Sequence, residues 1–213
     1  MNIHPILFST PMVEAILSGQ KTQTRREVKP QNFSISDQIA EVTDNGLMVH
    51  FSKEGNGTSF MGTKNKFGCV GDILWVRETW CHNGLGYYRY KSTYTKDGTG
   101  FKHGFEKWKP SIHMPKAACR LFLKITSITV QRLTTINRLD CISEGVFKGV
   151  DLEDTVHEQE YYQSKFGGER FPSAYQAFSA LWQSINGEKS WESNPWVWVI
   201  EFKRIEKPEN FLS

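Results

Sequence analysis

With 213 residues, 38% hydrophobic content and a net charge of +3, the chain is long enough for one domain with sizeable insertions, and seven Trp, seven Tyr and fourteen Phe supply the area a core needs. So mild a positive charge permits a nucleic-acid partner without demanding one. Four scattered cysteines (Cys69, Cys81, Cys119, Cys141) without a C-x-x-C pair argue for buried thiols in a cytoplasmic protein, against a zinc ribbon or dithiol site; no leader pattern at Met1–Pro5 and no apolar run near ~20 residues speak for a membrane.

Pro5 to Phe8 predicts a short buried strand. Ser9 or Thr10 then caps a helix with Pro11 in its first turn, where a missing N–H does no harm. Met12, Val13, Ile16 and Leu17 share one face, and Gly19 stands where a left-handed residue ends a helix. Lys21 to Arg26 leaves that turn as an extended segment. Residues 30–66 are polar, with one alternating stretch at Leu47 to Phe51, and predict an inserted hairpin between loops. Val70 to Trp80 reads as a Gly-Asp turn feeding an apolar strand that ends in charge. Tyr87 to Tyr94 reads as another aromatic strand, and residues 96–116 as mostly loop.

Arg120 to Leu133 is the clearest long strand, rich in β-branched residues. Asn137 caps a short helix carrying Leu139 and Ile142, closed by Gly145. Residues 147–170 are charged and read as an insertion. Phe171-Pro172 opens a helix with Tyr175, Phe178, Leu181, Trp182 and Ile185 on one face. After Asn186-Gly187, Pro195 to Phe202 forms a final strand with Trp196 and Trp198 on a core face. Strand groups without βαβ alternation give the α+β class, a curved mixed sheet or small barrel with a few helices at its ends.

The run Lys21-Thr22-Gln23-Thr24-Arg25-Arg26 contains no apolar residue. It presents hydroxyls and fixed positive charge, which suits a polar or anionic ligand; a solvated edge strand is the competing account. Arg25 and Arg26 suit clamping phosphate or carboxylate, with one of them pairing with an Asp or Glu. Glu144 falls in the last turn of its helix, where the macrodipole disfavours a carboxylate and either a partner cation or a raised pKa is called for. An exposed Glu at a frayed end is the alternative. Arg77, Glu78 and Trp80 end a strand at an expected cleft rim, Arg77 for phosphate and Trp80 for stacking on a base. A core Trp with an Arg77–Glu78 ion pair competes with that reading. His113 and Lys116 lie in the loop bearing Pro110 and Pro115, on a scaffold where loop residues lean functional; a structural His113 is the competing account. No His/Cys/Asp spacing suggests a metal site, and no cofactor is expected.

Three segments in this order resemble the ASCH family of the PUA-like superfamily. They are Ile16 to Arg26 (helix, then Gly-x-Lys-Thr-x-Thr-x-Arg), Gly71 to Val76 (Gly-Asp-x-Leu-x-Val) and Leu133 to Gly145 (Leu-x-x-Ile … Ser-Glu-Gly). The strand at Val197 to Phe202 matches the way such domains close. Larger phage- and prophage-type members share the runs seen at Trp75 to Trp80 and Pro110 to Lys116. The resemblance implies a single PUA-like domain over residues 1–213, a small mixed β-barrel flanked by a few helices, with insertions near 30–66, 81–115 and 147–170. It also implies a cleft for RNA bases or modified nucleosides.

Compact members of the family remove the acetyl group from N4-acetylcytidine with a Lys, a Thr and a Glu. Matched position by position these fall on Lys21, Thr24 and Glu144, which makes an N4-acylcytidine amidohydrolase the expected activity. Thr22, Arg25, Arg26, Arg77, Glu78, Trp80, His113 and Lys116 are the expected contacts to nucleoside or RNA. Other members are reported as ribonucleases, so a ribonuclease and a non-catalytic RNA-binding module stay open. Hydrolysing an exocyclic amide needs a nucleophile, a base and donors for the oxyanion. Thr24 supplies Oγ or positions a water. Lys21 is the base if burial lowers its pKa, or else stays charged beside the oxyanion while Glu144 is the base. Either arrangement requires Lys21 to lie in the turn after Gly19, because residues three apart on an ideal strand point to opposite faces.

Overall fold

The structure, a computed structural model, describes residues 1–29, 38–46, 48–53, 59–82, 86–94, 107–151, 159–164 and 168–212. In chain order its elements are β1 (Ile3–Leu7), α1 (Thr10–Leu17), β2 (Gln23–Glu27), β3 (Gln38–Thr43), β4 (Met48–Lys53), β5 (Ser59–Lys64), β6 (Ile73–Arg77), β7 (Trp80–His82), β8 (Tyr88–Tyr90) and β9 (Phe122–Arg132). They continue with α2 (Arg138–Ser143), β10 (Phe147–Asp151), β11 (Gln159–Gln163), β12 (Arg170–Phe171), α3 (Ala174–Asn186) and β13 (Trp196–Ile205). The class is mixed α+β.

A five-stranded sheet in the order β1-β6-β9-β13-β2 forms the centre. β1 runs parallel to β6, with Ile3 opposite Ile73, and the other pairs are antiparallel. β1 and β2 stand at the two ends of that order, and no ring of strands closes among the described residues.

The period-two alternation of β13 builds the core on both faces of this sheet. Trp196, Trp198, Ile200 and Phe202 join Val13 and Ile16 of α1 and Ile6 and Phe8 of the first strand segment. Val197 and Val199, between them, pack against Cys141 of α2 and Ala177, Phe178 and Trp182 of α3. Each large apolar side chain so enclosed contributes about 1.5–3 kcal/mol. A third cluster gathers Ile73, Trp75 and Phe122 with Trp80, Met114 and Phe211.

The helix punctuation follows local chemistry. Ser9 precedes α1, Pro11 lies in its first turn, and Gly19 follows it at φ 80°. Asn137 Oδ1 accepts from Asp140 N at 2.9 Å to start α2. Glu144 ends that helix, and Gly145 at φ 102° turns the chain away. A Cβ there would stand 3.3 Å from Ala15 Cβ, so the turn also lets α1 approach.

Several elements differ from the sequence expectation. Within residues 30–66 the expected hairpin is a three-stranded antiparallel sheet, β3-β4-β5, while residues 30–37 and Leu47 lie outside the described residues. It is fastened to the centre: Val49 is buried in the core, and Gly46 packs so closely that a Cβ would stand 2.6 Å from Ile128 Cβ. Residues 147–170, expected as a charged insertion, contain the antiparallel sheet β10-β11-β12, with Tyr162 buried and residues 152–158 and 165–167 outside the description. Of Tyr87 to Tyr94 only Tyr88–Tyr90 is strand, followed by a 3-10 turn at Lys91–Thr93. The expected 96–116 loop lies outside the description up to residue 106, and beyond it carries 3-10 turns at Ser111–His113 and Lys116–Ala118. Phe171 belongs to β12, and α3 starts after Ser173, whose Oγ accepts from Gln176 N at 3.2 Å. All four cysteines are free, Cys69 half-buried and the other three buried. Among the described residues no helix is long and apolar enough to cross a membrane.

Candidate functional site

Lys21 precedes β2, in the turn after Gly19, where its backbone N donates to Ala15 O at 2.9 Å. That placement meets the geometric requirement set by the three-residue step to Thr24. It also sends the Lys21 side chain beneath the end of α2. Its Nζ donates to Gln23 O at 2.8 Å, Glu144 O at 2.6 Å and Glu144 Oε2 at 3.0 Å. Three acceptors match the three N–H of an ammonium. Burial pulls the Lys21 pKa below its ordinary 10.5, with the Glu144 carboxylate opposing the shift. The side chain is fully enclosed.

Arg25, from β2, holds the other carboxylate oxygen: Nη1 donates to Glu144 Oε1 at 3.2 Å. Its Nη2 reaches Asp140 Oδ2 at 3.0 Å and Gln131 Oε1 at 3.4 Å. Glu144, placed where the negative end of α2 would repel it, is thus gripped by two cations.

The carboxylate stands beside a hollow of about 40 Å³, lined by Thr24, Arg25 and Arg26 from β2, Met12 from α1, and Phe178 and Trp182 from α3. A void of that size holds a water or two. Arg25 Nε and Trp182 Nε1, both buried, find no acceptor among the described residues. An orphaned buried donor costs about 1–3 kcal/mol unless a water or ligand answers it. Past Glu144 lies a recess of about 340 Å³ bounded by Ser9, Met12, Ser164, Leu181 and Ser184. Past Arg26 lies a trough of about 360 Å³ that includes Lys29, Lys64 and Lys66.

The remaining sequence candidates divide. Arg26 stays at the hollow, with Nη2 donating to Leu7 O at 2.8 Å and its guanidinium 5.2 Å from the Phe8 ring centroid. Thr22 is exposed and connects through its backbone, its N donating to Ser143 O at 2.9 Å. Arg77, Glu78, Trp80, His113 and Lys116 do not line the hollow. Glu78 is 1% exposed and takes Arg120 Nε at 2.9 Å, Arg120 Nη2 at 3.1 Å and the Ser92 hydroxyl. The expected Arg77–Glu78 pair is replaced by this one, since Arg77 Nη2 donates to Ile112 O instead and lies 5.3 Å from the Trp75 ring. Trp80 is buried rather than at a rim, its ring 5.7 Å from Tyr88 and covered by Lys109 Nζ at 5.0 Å. His113 and Lys116 are exposed in the 3-10 turns, with Lys116 Nζ 5.5 Å from the Phe211 ring.

Sequence reasoning missed Asp140, Gln131 and Trp182. Asp140 had a usable signal, since it lies four residues before Glu144 and so shares its helix face. Trp182 stands in the sequence only as one residue of a helix's apolar face, although an indole N–H on such a face raises the question of its partner. Among the described residues no group of three or more His, Cys, Asp or Glu could hold a metal ion. The chain matches no protein-family model, no curated protein and no solved structure.

Proposed function

We propose that the chain is a cytoplasmic hydrolase of ASCH type, a PUA-like barrel domain with insertions, that removes the acyl group from N4-acylated cytidine. One observation carries this reading. Glu144, gripped by two buried cations, lines a water-sized void together with Thr24, Arg25 and Trp182, and the last two each carry a buried N–H without a partner.

In this mechanism Lys21 remains an ammonium, and with Arg25 it fixes Glu144 without touching substrate. The pyrimidine enters from the Arg26 side and its scissile amide lies in the hollow, with the acyl group directed toward the recess past Glu144. A water held by Thr24 attacks the acyl carbon while Glu144 takes its proton. Charge growing on the carbonyl oxygen is met by Arg25 Nε–H and Trp182 Nε1–H, donors already fixed in a site that excludes bulk water. The tetrahedral intermediate then expels the exocyclic nitrogen, which receives the proton from Glu144. Cytidine and a carboxylic acid leave.

The test is cytidine release from N4-acetylcytidine by the purified protein. Trp182→Phe, which keeps the ring and deletes one donor, is expected to lower kcat about 10²–10³-fold. Thr24→Val is expected to lower it as well, with melting temperature retained in both. Absence of release, or release indifferent to both variants, ends the reading. A second reading, a non-catalytic RNA-binding module, is favoured by the lysines of the neighbouring trough. RNA binding with steep salt dependence and no turnover would select it. Shortening of labelled RNA, lost in the same variants, would select a ribonuclease.

A further inference from the structure

We propose that the trough next to the hollow is a phosphate-binding subsite, so that the molecule taken is a phosphorylated nucleotide or an oligonucleotide rather than a free nucleoside. This rests on the hydrolase reading only for the identity of the adjoining base.

Arg26 from β2, Lys29 just beyond it, Lys64 at the end of β5 and Lys66 two residues later converge on this trough. Glu27 is the carboxylate among its lining residues, and it lies 3.3 Å from Lys29 Nζ. Four cations and one carboxylate leave a strong positive excess. The floor is apolar, formed by the buried Phe67 and Trp198, so the field of the rim charges is less screened there than in open water. Crowded like charges repel one another, and an anion seated among them relieves that repulsion.

The trough adjoins the candidate catalytic hollow. Arg26, Glu27 and Asn186 line both. Thr24 and Arg26 are two residues apart on β2, about 6.6 Å along the strand. A ligand with a planar base on one side of Arg26 and a phosphate on the other spans that step on a single covalent frame, which an acidic peptide does not offer. Three of the four cations are lysines, mobile point charges that follow a phosphate in several orientations, whereas bidentate carboxylate recognition favours arginine. Lys64 and Lys66 belong to the three-stranded sheet folded from residues 38–64 and its exit, which gives that added sheet a role in recognition.

The experiment is fluorescence anisotropy of a short fluorescein-labelled oligocytidylate with the full chain across a range of salt, with cytidine and cytidine monophosphate as competitors. The double variant Lys64→Gln/Lys66→Gln is expected to bind about tenfold more weakly, with a log–log salt slope shallower by about 1.4, or ~0.7 for each lost contact to a single strand. Both lysines are exposed, and a matching thermal melt shows the variant is folded. Lys29→Gln is expected to act in the same direction by half as much. Competition by cytidine monophosphate assigns a mononucleotide, and competition by oligocytidylate alone assigns a strand; both uphold the subsite. Unchanged affinity and slope in the double variant and in Lys29→Gln, or equal competition by polyglutamate, overturn it. Turnover is not read, so a chain that deacylates nothing but loses binding in these variants keeps the subsite and loses the hydrolase.

Discussion

Among the described residues two places bury a carboxylate in the grip of arginine, and they differ in what surrounds the pair. Glu144 is held by Lys21 and Arg25, Glu78 by Arg120 with the Ser92 hydroxyl. Both neighbourhoods also contain unpartnered donors, Arg25 Nε and Trp182 Nε1 in the first, Arg77 Nε and Trp80 Nε1 in the second. Buried charge and orphaned N–H groups therefore do not by themselves distinguish a reactive site from a structural one. What sets the first apart is that Thr24, Arg25, Glu144 and Trp182 all line one void. In the second the hydroxyl is bonded to Glu78, and the Trp80 ring is enclosed by Tyr88 and Lys109.

The largest effect separating the two regions is expected from removing the carboxylates. Glu144→Leu leaves the fully enclosed Lys21 without a carboxylate and Arg25 with Asp140 alone, and should cost about 3–5 kcal/mol, a fall of about 10–15 °C in Tm for a chain this long. Glu78→Leu strands only Arg120, whose side chain is 27% exposed and can recruit water, so about half that loss is expected. Thermal melts of the two variants decide, and equal losses would erase the distinction.

A smaller effect concerns alkaline pH. Burial holds the folded pKa of Lys21 below 10.5 against the pull of Glu144. A lysine depressed by folding binds more protons when unfolded, between the folded and unfolded values. Stability therefore rises with pH across that interval and levels off above 10.5. Urea midpoints measured from neutral pH upward should show the rise, and Lys21→Met should abolish it.

The smallest stability change, and the sharpest functional contrast, should come from the tryptophans. Trp182→Phe and Trp80→Phe each delete an unpartnered N–H and keep most of the buried ring, so each should shift stability by about 1 kcal/mol or less. Only Trp182→Phe should alter cytidine release. A comparable loss of activity in Trp80→Phe would move the site to the other region.

The local signals in the sequence carried the helices and the site's main contacts. Pro11, Gly19, Asn137 and Gly145 act through backbone geometry within a few residues, so α1 and α2 were legible with their ends. Glu144 could be singled out because a carboxylate at a helix C-terminus is locally unfavourable and wants a cation. The resemblance set Lys21 beside Glu144, but Arg25 as the second cation was not legible, because it reaches the carboxylate only through the pairing of β2 with β13 and the packing of α2 against that sheet. Arg120, the partner of Glu78, was hidden for the same reason: it lies 42 residues away with no motif linking them. The third strand added to the expected hairpin, and β10 to β12, were missed because polar, Gly-rich segments become strands when their neighbours and one anchored residue, such as Val49, hold them.

The partners in the grip on Glu144 are 123 and 119 positions apart in the chain. Their union waits on slow, long-range closure. A nascent polypeptide released before α2 has emerged would leave its lysine and arginine hydrated, with no preformed pocket beside them. Competence for chemistry would then be a late milestone of biogenesis, attained when both halves of the molecule have met.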